Sequence, residues 1–159
     1  QDDRTAATAI EGEMKHKGRR AAVAATNYAP NGQEIASVLG DGSLKIYSAI
    51  SGAAIVNVPN AHKGQATALA YSPSTELLVT VSKTDSMVRA WDSLTAVEIK
   101  GKSQPFETVS SAVFTNEGKR LVLGGPQGEL NVIEVSSWVS SRVIHAHSDD
   151  VSEPPGGGN

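Results

Sequence analysis

Cysteine is absent from all 159 residues, which removes a disulfide framework and a thiolate metal site and suits a reducing compartment. Large aromatics are scarce too: two Trp, three Tyr and two Phe leave few big pieces, so a modest core is expected. Positive charge is not in excess, with 14 Lys plus Arg against 17 Asp plus Glu. A chain without a global basic field does not have nucleic acid as its default partner. No run approaches the roughly 18 apolar residues of a membrane span. The opening QDDRTAATAI has neither an initiating Met nor a charged-then-apolar leader pattern, so the observed start is not expected to be the native one. No Asn-x-Ser/Thr acceptor occurs, which agrees with an intracellular, cytoplasmic location.

What is present is regular punctuation. The clearest stretch is Ala61 to Asp92, reading AHKGQATALAYSPSTELLVTVSKTDSMVRAWD. An Ala-His pair opens it, and the alternating run Ala66 to Tyr71 follows. A Ser72-Pro73-Ser74 turn leads into Leu77 to Val81, and a polar turn at Lys83 to Asp85 precedes a third run ending in Trp91-Asp92. Runs of about five residues between Ser, Pro and Asp turns predict a small antiparallel meander.

The rest of the chain aligns with that stretch. GSLKIYS (42–48), SMVRAWD (86–92) and GELNVIE (128–134) superpose as third strands, with Tyr47, Trp91 and Ile133 in register at intervals of 44 and 42 residues. Second strands fall at 34–38, 77–81 and 120–123, after turns at Pro30-Asn31-Gly32, Pro73-Ser74-Thr75 and Asn116-Glu117-Gly118. First strands fall at 21–28, 66–71 and 108–114; fourth, outer strands are expected at 53–58, 96–99 and 139–144, and residues 5–10 read as a leftover outer strand. The openings recur as His16-Lys17-Gly18, His62-Lys63-Gly64 and Ala146-His147. A period of about 40 to 45 residues with several short strands per unit is the signature of propeller blades.

These residues resemble the WD40-repeat family over roughly Glu13 to Val151. The resemblance implies an all-β fold, a partial β-propeller of about three four-stranded antiparallel blades. The chain divides into a lead-in at 1–15, WD-like repeats at 16–60, 61–102 and 103–145, and the start of a truncated fourth repeat with a Pro/Gly-rich tail at 146–159. His62, Thr80 or Ser82, Asp85 and Trp91 match the hydrogen-bonded set that staples a blade in this family. The first unit keeps His16, Ser37 and Asp41 but has Tyr47-Ser48 in place of Trp-Asp. The third lacks the opening His and ends in Ile133-Glu134, so its staple is expected to be absent. A buried His, Asp, hydroxyl and indole leave no donor unpaired only if they find one another, which makes these residues structural. Three blades cannot ring a channel when closed propellers use four to eight. The expectation is a segment of a longer WD-repeat chain, or a ring whose remaining blades come from another subunit.

Other constellations carry competing chemistry. His145-Ala146-His147-Ser148-Asp149-Asp150 resembles the His-x-His-x-Asp metal motif of metallo-β-lactamase-like hydrolases, with His145, His147 and Asp149 as ligands. Ala146-His147 is also accounted for as a repeat start, and the chain is too short for that fold. Gly124 to Gly128 lacks the Lys-Ser/Thr and helix of a phosphate loop and reads as a hairpin turn. The basic cluster Lys15, Lys17, Arg19 and Arg20 is either a solvated loop or a grip on an acidic surface. Trp138, at the start of the third outer strand, either caps its blade or anchors a partner. No cofactor is expected.

The function read from this resemblance is a non-enzymatic protein–protein interaction scaffold inside a larger multiprotein assembly, cytoskeletal or ciliary. The alternatives are an RNA-associated subunit of ribosome biogenesis or splicing that uses residues 15–20, and a metal-dependent hydrolase that uses the His-Ala-His-Ser-Asp-Asp string.

Overall fold

The computed structural model describes residues 20–107 and 109–145. Its strands are β1 (Val23–Tyr28), β2 (Glu34–Leu39), β3 (Leu44–Ser48), β4 (Ala54–Val58), β5 (Ala66–Tyr71), β6 (Leu77–Ser82), β7 (Met87–Asp92), β8 (Gln104–Pro105), β9 (Ser111–Phe114), β10 (Arg120–Gly124), β11 (Glu129–Glu134) and β12 (Val139–His145). They form three four-stranded antiparallel sheets in chain order, β1 to β4, β5 to β8 and β9 to β12. The innermost strands lie side by side, β1 against β5 and β5 against β9. The sheets therefore fan out as three blades of a propeller arc, the architecture expected from the repeat.

Matching turns make matching hairpins. After each inner strand the chain reverses through a residue in the left-handed region, Gly32, Thr75 or Gly118. Their amides donate to Ala29, Ser72 and Thr115 respectively. After each third strand the same device recurs at Gly52, Ala96 and Trp138, whose amides donate to the carbonyls of Ser48, Asp92 and Glu134. Asp92 stabilises its own turn, its carboxylate accepting from the amides of Leu94 and Thr95 and from the Thr95 hydroxyl.

Among the described residues the apolar side chains form two clusters, not one core. Because side chains alternate across a strand, each blade has one face toward the preceding blade and one toward the following blade. Leu78 on β6 packs with Ala36, Val38, Leu44 and Ile46 of the first blade. Its neighbours Val79 and Val81 pack with Leu121, Leu123 and Ile133 of the third. The modest core foreseen from the few aromatics is two thin apolar layers, each sealed by one wider ring system, Trp91 in the first and Trp138 in the second.

The outer strand of the second blade departs from the expected 96–99. Ala96 belongs to the turn, and only Glu98 bridges, to Trp91. The chain then leaves the sheet through a 3-10 turn at Lys100–Lys102 and pairs again only at Gln104 and Pro105, opposite Val88 and Met87. In the first and third blades the register slips by one residue at the equivalent point, between Ile46 and Tyr47 and between Val132 and Ile133. The second blade enlarges that slip into a loop. Ser103 closes it, with its hydroxyl accepting from the Ala90 amide. Residues 5–10, the expected leftover strand, lie outside the described residues. Among those described, no helix is long and apolar enough to cross a membrane.

Candidate functional site

The only place where the described structure gathers a His, an Asp, hydroxyls and an indole is the side of the second blade that faces the first. His62 sits on the loop between β4 and β5, Thr80 on β6, Asp85 in the turn before β7, and Trp91 on β7. The loop is held by the His62 amide, which donates to the Gly42 carbonyl at 2.9 Å. Gly42 is required there: its φ is +84°, and a Cβ would overlap the carbonyl oxygens of His62 and Gly64.

Hydrogen-bond directions follow from counting protons. The Trp91 indole can only donate, and its Nε1 lies 2.8 Å from Thr80 Oγ1. The Thr80 hydroxyl then donates its one proton to His62 Nε2, also at 2.8 Å. His62 Nδ1 therefore carries the ring proton and gives it to Asp85, 3.1 Å from either carboxylate oxygen. Asp85 also accepts the amides of Lys63 at 3.0 Å and Met87 at 3.2 Å. A neutral His62 protonated on Nδ1 satisfies every member, and protonating Nε2 would leave two donors, ring and hydroxyl, with one proton too many.

The electrostatics agree with that assignment. Burial pushes the His62 imidazole below its ordinary value, outweighing the upward pull of Asp85. Burial alone would raise Asp85, but the Lys63 amide, the His62 ring and Arg89 together hold it below the usual carboxylate value. The signs give a pH dependence. A histidine depressed below 6.5 contributes stability that is complete above that value and declines as the pH falls from it toward the folded pKa. Asp85 adds a second loss below 3.8. Urea melts between about pH 7 and about pH 5 should therefore show the native protein losing stability faster than His62→Gln. Parallel profiles would refute the neutral assignment.

The network extends beyond the expected residues. Arg89 on β7 lies 3.7 Å from Asp85 and forms an ion pair of 2.9 Å with Glu98 on the outer segment. Neither was singled out in the sequence, where only opposite charges on neighbouring strands could have signalled them. Ser82 stays out of the chain: its hydroxyl donates to the Gln65 carbonyl at 2.7 Å and accepts the Thr84 amide.

The other predicted residues are not brought into such a set. Ser37 occupies Thr80's register in the first blade but donates to Thr26 Oγ1 at 3.1 Å. Asp41 turns on its own loop, accepting the Ser43 hydroxyl and amide, and the Ser43 hydroxyl foremost lowers its pKa. In the third blade Leu123 and Ile133 stand where Thr80 and Trp91 stand in the second, both fully buried. Trp138, which the sequence left as a cap or an anchor, is 7% exposed, its ring in the apolar cluster that the second and third blades share. His145 ends the exposed strand β12, and Arg20 is exposed. Lys15, His16, Lys17, Arg19, His147, Asp149 and Asp150 lie outside the described residues. Among those described, no group of three His, Cys, Asp or Glu side chains could hold a metal ion.

Residues 54–92, β4 through β7, match the family model of the WD domain, G-beta repeat (WD40). The chain carries a WD40 repeat. The matched unit runs from the outer strand of one blade through three strands of the next, so the sequence unit of a WD40 repeat straddles two sheets. The chain is 27% identical over 143 residues to the periodic tryptophan protein 2 homolog of Dictyostelium discoideum, with 88% of the chain matched to 15% of that protein's length. Two solved WD40-type structures superpose with TM-scores of 0.73 at 17% identity. A crystal structure of RRP9 WD40 repeats covers 84% of this chain and 41% of its own, and a structure of U3-55K covers 84% and 42%. Hydrazine synthase of Kuenenia stuttgartiensis superposes with a TM-score of 0.69 at 17% identity, over 81% of this chain and 38% of its own. At such identities the likeness is one of fold, a partial WD40 propeller. The chain thus spans about a seventh of the curated relative and about two fifths of these solved chains. WD40 repeats in general serve as scaffolds for protein partners, and the name of the third structure shows that the fold by itself does not decide against chemistry.

Proposed function

We propose that this chain is a non-enzymatic interaction scaffold, a rigid set of WD40 blades that presents turn residues to protein partners within a larger assembly in a reducing, intracellular compartment. One observation carries the reading. The only catalytic-looking constellation described, His62 with Asp85 and Thr80, is buried and closed on itself, each proton assigned to an internal acceptor. No face of it is open to a substrate, and a base that already donates to its own carboxylate has no vacancy for one. What remains for function is the loops, held in place by rigid repetition. A cytoskeletal or ciliary assembly, the finer expectation from the sequence, gains no support from the relatives.

Two measurements test this. Cross-linking mass spectrometry of the complex isolated from cells should find a stoichiometric protein neighbour that stays bound as salt is raised. If the bound species is instead RNA, released by salt and by changing Lys15, Lys17, Arg19 and Arg20 to alanine, the RNA-associated reading replaces this one. Metal analysis covers the remaining class: stoichiometric zinc that disappears in His147→Ala would overturn the non-enzymatic reading.

A further inference from the structure

Among the described residues, two buried polar atoms on facing sides of the first and second blades make no hydrogen bond to the protein: the Tyr71 hydroxyl, at the end of β5, and Oε2 of Glu34, at the start of β2. Tyr71 is 7% exposed, and its ring packs in the apolar cluster with Ala36 and Val38 of β2. Alternation along β2 puts Glu34 on the same face as Ala36 and Val38, so its carboxylate points toward the second blade. The two groups are close enough to act on each other: burial first, and then the Glu34 charge, push the Tyr71 hydroxyl up to about 12. The junction of the second and third blades offers a comparison at the same register. Leu77 begins β6 as Glu34 begins β2, and Phe114 ends β9 as Tyr71 ends β5. Both of these pack in the second apolar cluster. Carboxylate and hydroxyl are therefore present together at one junction and replaced together at the other.

We propose that Tyr71 and Glu34 form one polar link between the first two blades, closed by a single buried water that accepts the phenolic proton and donates to Glu34 Oε2. A phenol has one proton to give and a carboxylate oxygen only accepts, so the donor and the acceptor suit each other. Neither reaches the other directly, and a water is the group that joins two buried polar atoms left apart. Leaving both unmade would cost the desolvation of each. The link stands at the end of the junction where β1 turns into β2. At the other end the His62 amide crosses from the second blade to the Gly42 carbonyl of the first, so hydrogen bonds pin this junction at both ends. The link also discriminates. A blade carrying phenylalanine at this position, as the third does with Phe114, would leave the Glu34 oxygen without a donor, which disfavours that blade as the neighbour of the first.

The proposal goes beyond the scaffold reading and does not depend on it. Tyr71→Phe removes only the hydroxyl. In the native background it should lower the ratio of folded to unfolded protein, read from urea melts at neutral pH, about 5- to 30-fold. In a Glu34→Leu background, which restores the apolar pairing that Leu77 and Phe114 already use, the same change should cost less than about twofold. Glu34→Ala supplies a second background, with the carboxylate gone and no apolar bulk added, and the expected result is the same. Water-to-protein cross-relaxation measured by NMR should show a long-lived water beside the Tyr71 ring in the native protein and not in the double variants. An equal loss on Tyr71→Phe in all backgrounds would show that the two groups are not linked. Coupling without a long-lived water would show a direct bond instead, and either result overturns the proposal.

Discussion

Replacing Asp85 with alanine should lower stability by about 3–5 kcal/mol, the cost of removing one member of a buried charged network. Its carboxylate is the sink of the whole chain of donors. The Trp91 indole, the Thr80 hydroxyl and the His62 ring point toward it in series, while the Lys63 and Met87 amides reach it directly. Without it the His62 Nδ1–H and two amides have no acceptor, and Arg89 keeps only Glu98. Each orphaned donor costs about 1–3 kcal/mol, a large share of the roughly 5–15 kcal/mol that holds a domain folded. Asp85→Asn separates charge from shape. Its carbonyl can still accept from His62, but its amide then meets the Lys63 N–H donor to donor, so its effect should fall between alanine and the native residue. Urea denaturation at neutral pH, read by far-UV circular dichroism, measures both. An alanine variant within about 1 kcal/mol of native, or an asparagine variant worse than alanine, would sink the network as described.

Much of this arrangement is legible in the sequence because it is local or periodic. The strands and their turns follow from alternation and from Pro, Asn and Gly placed at equal intervals, and the copies at Tyr47, Trp91 and Ile133 share one register in the structure. His62, Thr80, Asp85 and Trp91 were selected by resemblance, and the structure places them within bonding distance. Two kinds of information were not legible. One is register after an irregularity: the loop between Ile99 and Ser103 displaces the outer strand from 96–99 to Gln104–Pro105. The other is the choice between partners of equal chemistry. Ser37 could serve a ring nitrogen or a neighbouring hydroxyl, and only the fold shows Thr26 opposite it. Replacement is visible in the same way. Leu123 and Ile133 occupy the staple's register in the third blade, so its contact with the second blade is apolar at the positions where the second blade carries its own hydrogen-bonded set.

That apolar contact makes Trp138 the other sensitive position. Its ring is buried between the second and third blades, and the Lys102 ammonium stands 5.1 Å from the ring centroid while donating to the Val135 carbonyl at 2.6 Å. The loop that interrupts the second outer strand is therefore what reaches across to hold the third blade. Removing the ring in Trp138→Ala should cost about 3–5 kcal/mol, the range for a large buried aromatic. The backbone, however, sits at φ 55°, in the position that Gly52 fills in the first blade, and a side chain there costs roughly 1 kcal/mol that glycine does not. Trp138→Gly should consequently be less damaging than Trp138→Ala, the reverse of the usual order. Trp138→Phe should be the mildest, since it keeps a ring over Lys102 and removes an indole N–H that makes no hydrogen bond to the protein. Thermal melts of the three variants rank them. Alanine better tolerated than glycine would show that the turn relaxes when the ring is gone, and a loss below about 1 kcal/mol for alanine would show that the ring does not bind the two blades together.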